Sequence, residues 1–484
     1  MFELIDSILN DFRICFERKN TFIWFVIIVF GIIVRSDFRG VTSILGALHI
    51  GEESYYTALH FFRSAAYDLE FLKTQWANIV IERFALKKMD DRIFIIGDHT
   101  KVAKEAKYMP SVKKHHQESE NSSKAEYMFG HDFGTIGILT NAKSMNCVPI
   151  DIEIHGGSDE VNSLTHVKLA KTTSNYKLMQ MVCKFVGSTK LSIFLLLDAA
   201  FSTGEVLTEV YKENTKMGSN NIILISRAKC NYVGFEEPQR IYFRGRKPIY
   251  GKRIVLNNLF NTDLDRFTKV KMSIYGKIED IQYLSVDLYW KPAKRIIRFV
   301  LVKTGEKKMV LMCSDLNIQP EKIITAYTYR FKIEISFKNL KHILGAFCYH
   351  FWTKSMPKLS KLKTYTDLSD VTKKERITKI ASAFRAIHIY AFLSCVSLGI
   401  LMFLSETVPA LVWENYSGWL RTYSQAIPSI ETTRETVRNL FYRHFSKVAN
   451  YQTLRLIQKH QTLKNSNFDE TIDNKQVLRY NEPA

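Results

Sequence analysis

No C-x-x-C pair occurs in this sequence, and its seven cysteines (Cys15, Cys147, Cys183, Cys230, Cys313, Cys348 and Cys395) are scattered and odd in number. That pattern argues against a clustered zinc site and a disulfide framework, and fits reduced thiols in a cytosol. An acidic balance is also missing: 68 Lys plus Arg face 48 Asp plus Glu, a formal net charge of +20. Folding requires no such excess, so it implies a polyanionic partner, nucleic acid or anionic lipid. Nor does any apolar run reach the about 20 residues that cross a bilayer. Phe22–Val34 is thirteen residues long and has no small-residue cleavage site beside it, so it reads as a buried helix rather than a signal peptide. Ala386–Leu404 has nineteen, interrupted by His388, Tyr390 and Ser394. It reads as a core helix able to pair with Val408–Trp413 in a hairpin, with membrane contact as the alternative.

What is present is enough for a multidomain α+β protein. The 484 residues, 46% of them hydrophobic, allow about three domains with cores of their own. Strand-like runs at 92–97 (RIFIIG), 133–140 (FGTIGILT) and 148–154 (VPIDIEI) precede a helical stretch from 160 to about 186. A strand at 191–197 (LSIFLLL), a helix from 203 to about 214 and a strand at 221–226 (NIILIS) follow. The order β-β-β-α-β-α-β places an antiparallel meander beside a parallel half, the arrangement of ribonuclease H-like folds, which a later helix completes. Residues 1–88 and 357–462 read as helical, 230–319 as rich in strands, and 463–484 as a polar tail. Lys104–Glu126 reads as a long loop in which His115 and His116 face solvent.

Two aspartates sit where such a sheet exposes its chemistry. Asp98 ends the first strand in IIGDHTKV, and Asp198 ends the fourth in FLLLDAAF. Asp commonly caps the turn after a strand, so either one alone is weak evidence. If the first and fourth strands are parallel neighbours, however, both carboxylates reach one rim of the sheet.

The stretch YTYRFKIEISFKNLKH, 327–342, supplies a third acid. On a continuous helix Tyr327, Arg330, Glu334 and Lys341 fall within an arc of about 60°. That face is a solvated helix side or a functional one. Its spacing, Y-x2-R-x3-E-x6-K, together with DHTKV, LLLDAAF and FRGRKPIYGKRI, resembles the bacterial insertion-sequence DDE transposases that carry this signature. The resemblance spans roughly residues 20–355. It departs at Phe331, where many relatives have tryptophan, a change that touches packing more than chemistry.

The resemblance implies Asp98, Asp198 and Glu334 as a catalytic triad binding two Mg2+ ions, with Mn2+ able to substitute. Three close carboxylates repel unless cations lie between them, and two ions about 3.5–4 Å apart suit in-line attack on phosphorus. It also implies that Tyr327, Arg330 and Lys341 contact transposon-end phosphates, with Lys338 on the same helix. The catalytic core would occupy 89–229 and 320–356, interrupted by the β-rich insertion. Leading into that insertion, Arg244, Arg246, Lys247, Lys252 and Arg253 alternate with aromatic and glycine residues, a composition for DNA contact or a solvated hairpin. Trp290 is either a packing tryptophan or one that stacks on an unpaired base. In the N-terminal region VTSILGALHI, GEES and YYTALHFFRS read as helix, turn and helix with Ser54 as N-cap, a DNA reader or a plain hairpin. Double-stranded DNA (terminal inverted repeats and target), a homodimer in a synaptic complex and a bacterial cytoplasmic, nucleoid-associated location complete the expectation. The alternatives are a catalytically silent DNA-binding descendant and a membrane-associated protein.

Overall fold

Aliphatic and β-branched runs bounded by turn residues become strands largely where their sequence indicates. The computed structural model describes residues 1–117, 125–167, 170–229, 231–238, 248–274, 276–360, 362–419, 426–444 and 450–461. The chain divides into two compact units. One contains Trp76–Asn339 and Trp352–Phe384, the other Met1–Gln75, Leu340–Phe351 and Arg385–Ala484.

The first unit is built on β1 (Lys88–Met89), β2 (Arg92–Ala103), β3 (Lys113–His116), β4 (Tyr127–Leu139), β5 (Cys147–Gly156), β6 (Ile193–Leu197) and β7 (Ile222–Arg227). To these the chain adds β8 (Val233–Phe235), β9 (Arg253–Val255), β10 (Thr268–Ile274), β11 (Lys277–Trp290), β12 (Arg295–Thr304) and β13 (Lys307–Cys313). Among the described residues all thirteen join one sheet, in the order β3-β4-β2-β6-β7-β13-β12-β11-β8-β9, with β1 on β2, β5 on β4 and β10 on β11. β5, β4 and β2 pair antiparallel, whereas β2, β6 and β7 run parallel. Parallel neighbours need long crossovers, and helices Ser158–Leu164, Ser174–Thr189 and Gly204–Met217 occupy them. β6 accordingly reads IFLLL with every residue buried, the mark of a strand covered on both faces.

Several boundaries differ from the sequence reading. β2 runs on to Ala103, so Asp98 lies inside a strand, opposite Thr135 of β4, instead of ending one. The expected loop before β4 contains β3, which pairs with β4 from Lys113↔Gly130 to His116↔Tyr127. Strand alternation then turns His115 inward, where it is buried, and only His116 faces outward. The single helix expected from 160 to 186 is two, because Thr173 starts a new one by accepting a hydrogen bond from the Tyr176 N–H. The β-rich segment after β7 does not form a sheet apart. β13 pairs antiparallel with β7 through Leu311↔Arg227, Met312↔Ser226 and Cys313↔Ile225.

The second unit is helical. In helix Lys19–Val34 every residue from Phe22 onward is buried, as expected of a core helix. Gly31 is what lets helix Val41–Ala47 approach, since a Cβ there would stand 2.5 Å from Ile44 Cγ2. Ser54 precedes helix Tyr55–Arg63, yet its side chain makes no capping bond, because a 3-10 turn over Glu52–Ser54 runs straight into the helix. The run at 386–404 belongs to helix Lys374–Thr407, the one helix among the described residues long and apolar enough to cross a membrane. Its most apolar window is 94% buried within the protein.

Candidate functional site

Parallel pairing of β2 with β6 sets Ile96 beside Leu196, and two residues further on come Asp98, within β2, and Asp198, just past the end of β6. Register alone therefore brings both carboxylates to one rim. Asp98 Oδ1 accepts a 2.8 Å hydrogen bond from the His99 backbone N–H.

The third acid arrives by a break in helix geometry. Sequence periodicity predicts one helix through 327–342, but the chain forms helices Pro320–Thr328 and Lys332–His342 with a turn at Tyr329–Phe331. The turn is held by short-range backbone bonds, Arg330 N–H to Tyr327 O at 3.1 Å and Lys332 N–H to Tyr329 O at 3.0 Å. Glu334 thus sits in the first turn of the second helix, where a carboxylate is favoured by the helix dipole. Arg330 projects from the turn between the helices.

All three carboxylates converge on Arg330. Its Nη2 lies 2.6 Å from Asp98 Oδ2 and 3.6 Å from Asp198 Oδ2, while its Nη1 donates to Glu334 Oε1. Tyr327 Oη stands 3.5 Å from Asp198 Oδ1, at the outer limit of a hydrogen bond. The cluster grades from interior to solvent: side-chain exposure is 14% for Arg330, 16% for Asp98, 40% for Asp198 and 56% for Glu334. Burial pushes the Asp98 carboxyl up to about 6, against the opposing pull of Arg330 and the His99 N–H, with Asp198 and Glu334 adding to the rise. Burial also works against the Arg330 charge, but Asp98, Asp198 and Glu334 outweigh it and raise its pKa.

The guanidinium, rather than open space, lies among these oxygens. Among the described residues no three His, Cys, Asp or Glu side chains stand, as placed, close enough to hold a metal ion directly. As a donor set the three carboxylates are nevertheless hard oxygen ligands gathered about positive charge, which suits Mg2+ or Mn2+.

The other expected residues separate into groups. Lys338 and Lys341 follow Glu334 by one and two turns on the same helix, Lys338 exposed and Lys341 half-buried. Lys252 and Arg253 are exposed at β9, the terminal strand of the order beyond β8. Arg244, Arg246 and Lys247 lie outside the described residues. Trp290 does not present a ring for stacking on a base. It is 3% exposed at the end of β11, with its ring centroid 5.1 Å from that of Tyr232.

Behind Asp98 lies a polar layer that sequence reasoning passed over. His99 Nε2 and His155 Nδ1 are 2.9 Å apart, and burial lowers the His99 pKa. Lys177, 5% exposed, reaches Asp159 Oδ1 at 2.7 Å, the His155 carbonyl at 2.8 Å and Ser158 Oγ at 2.9 Å. The sequence signal for His99 was its position beside Asp98 in DHTKV; His155 and Lys177 carried none, because only packing joins them. No protein-family model and no curated protein matches the chain.

Proposed function

We propose that this protein is a metal-dependent DNA transposase with a ribonuclease H-like core, nicking the 3′ ends of its insertion sequence and joining them to target DNA by transesterification. The observation that carries the reading is the meeting of Asp98, Asp198 and Glu334, distant in sequence, at a single cationic group. The strand order β5-β4-β2-β6-β7, antiparallel then parallel, supports the core assignment.

Asp98, Asp198 and Glu334 are the residues that would hold the divalent ions. When bound, such ions supply acidification of the attacking water or 3′ hydroxyl and charge stabilisation at the leaving oxygen. The chain's own part is positioning. β2 carries Asp98 and the end of β6 positions Asp198, and the Lys332–His342 helix carries Glu334 together with Lys338 and Lys341, so that catalysis and phosphate binding share one element. Tyr327 offers a hydroxyl donor beside Asp198. The net charge of +20 draws duplex DNA from a distance. Function as a homodimer in a bacterial cytoplasm, on terminal repeats and target, belongs to the same reading.

The test is incubation with DNA flanking the gene for this protein, with and without Mg2+, followed by mapping of the ends. Cuts at defined ends that require Mg2+ and vanish in Glu334→Gln support the reading; Mg2+-dependent cleavage that survives Glu334→Gln or Asp98→Asn rejects it. The closed ion-pair cluster also suits a catalytically silent DNA-binding descendant, which would bind the same DNA and yield no product.

A further inference from the structure

The charge balance at the rim is incomplete. Ionised, Asp98, Asp198 and Glu334 carry three negative charges, and Arg330 returns one. Two divalent cations would overshoot three carboxylates by themselves, and a guanidinium left among them would add repulsion at a few ångströms in a partly buried setting. Arg330 Nη2 also faces Asp98 Oδ2 and Asp198 Oδ2, oxygens that a metal ion would use. Two divalent ions and Arg330 together would exceed the charge of the three carboxylates.

Arg330 is placed to leave. It sits in the Tyr329–Phe331 turn between two helices. Its Nε is buried without a hydrogen-bond partner in the present arrangement, so the three carboxylates leave one donor of the guanidinium unsatisfied. A phosphate, like a carboxylate, matches the guanidinium fork in a bidentate pair and is an acceptor for it. Lys338 and Lys341, on the helix that follows, would bring a phosphate backbone past this point.

We propose that Arg330 is a resident cation that holds the three carboxylates until divalent ions replace it, and that its release onto a DNA phosphate couples metal loading to DNA binding. This rests on the reading of the three acids as metal ligands. The coupling is reciprocal: phosphate that draws Arg330 away raises metal affinity, and metal that displaces Arg330 raises DNA affinity by the same factor. Without DNA the site stays charge-paired and poorly loaded, which protects against cleavage before a transposon end is seated.

Calorimetric titration of the full-length protein with Mn2+ at pH 8, with and without a duplex of the DNA flanking its gene, tests this. Expected is Mn2+ binding about tenfold tighter in Arg330→Gln than in wild type when DNA is absent, with the duplex enhancing affinity in wild type but not in the variant. Thermal unfolding gives a second readout, with Mn2+ raising the Tm of Arg330→Gln more than that of wild type. Equal or weaker Mn2+ binding by Arg330→Gln, while Asp98→Asn abolishes binding, overturns the exchange and leaves the metal-ligand reading intact. Absence of Mn2+ binding in wild type and variant alike overturns both. If Arg330→Gln does not fold, the wild-type protein still decides: Mn2+ affinity that is the same with and without the duplex overturns the coupling.

Discussion

Two arginines, Arg330 on a partly open rim and Arg35 in the interior, hold their charge in opposite ways. Arg35, in the helical unit, is fully buried and held by neutral oxygens: the Gly40, Leu344 and Gly345 carbonyls, Ser43 Oγ, and Tyr390 Oη at 2.6 Å. The Phe38 and Tyr390 rings lie 5.5 and 5.7 Å from its guanidinium carbon. Arg330 is held by three carboxylates on a partly open rim. A ring of dipoles holds one charge in one shape, and removing it leaves several acceptors buried and unsatisfied. A ring of carboxylates can exchange its cation, because any cation of suitable size satisfies it. Arg35 is therefore a fixed structural charge, and Arg330 a replaceable one.

The largest expected effect is on chemistry at the replaceable end. Asp98→Asn should lower Mg2+-dependent cleavage by at least about a thousandfold, ~4 kcal/mol in the barrier, while the circular dichroism spectrum is unchanged. At the fixed end, Arg35→Met should cost about 3–5 kcal/mol of stability in urea unfolding, with no relief from Mn2+. Relief by Mn2+ would erase the contrast between the two arginines.

A pH profile sharpens the same contrast. Asp98 holds its proton to about 6 in the folded protein, above the ordinary Asp value of 3.8. The folded state thus binds more protons than the unfolded state between these values. The resulting stability is fully present below pH 3.8 and is lost as pH rises through about 6, an effect on the order of 2–3 kcal/mol. Metal-free urea midpoints compared across this window should show the slope in wild type and not in Asp98→Asn.

Two smaller effects mark the borders of each region. Gly31→Ala puts a Cβ against Ile44 and should destabilise the helical unit by about 1–3 kcal/mol, leaving Mn2+ binding alone. Lys338→Ala should weaken duplex binding severalfold and reduce the slope of log affinity against log salt by about 1, again with Mn2+ binding unchanged. A change in Mn2+ affinity for Lys338→Ala would mean that this lysine, too, shares the carboxylates.

Much of this molecule could be read before folding. Apolar runs identified β2, β4, β5, β6 and β7, the buried helix through Val34 and the long core helix ending at Thr407, because burial of aliphatic side chains acts residue by residue. The resemblance to a transposase signature implied Glu334 and Arg330, while Asp98 and Asp198 could be picked out from their place after apolar strands. The partners of those residues could not. A 100° projection assumed an unbroken helix through Arg330, whereas local backbone bonds made a turn there and freed the guanidinium to reach two strands. The sequence points His115 to solvent, whereas pairing of β3 with β4 turns it inward; of the two readings of Trp290, packing is the one the structure shows, against Tyr232.

By itself, then, the sequence determined which segments are apolar, where strands and helices alternate and which side chains carry charge. Only the tertiary structure decided that three carboxylates would meet around Arg330. The physical reason is range: hydrophobic patterning is local, but the partner of a charge is whichever group long-range strand register and helix breaks bring within a few ångströms.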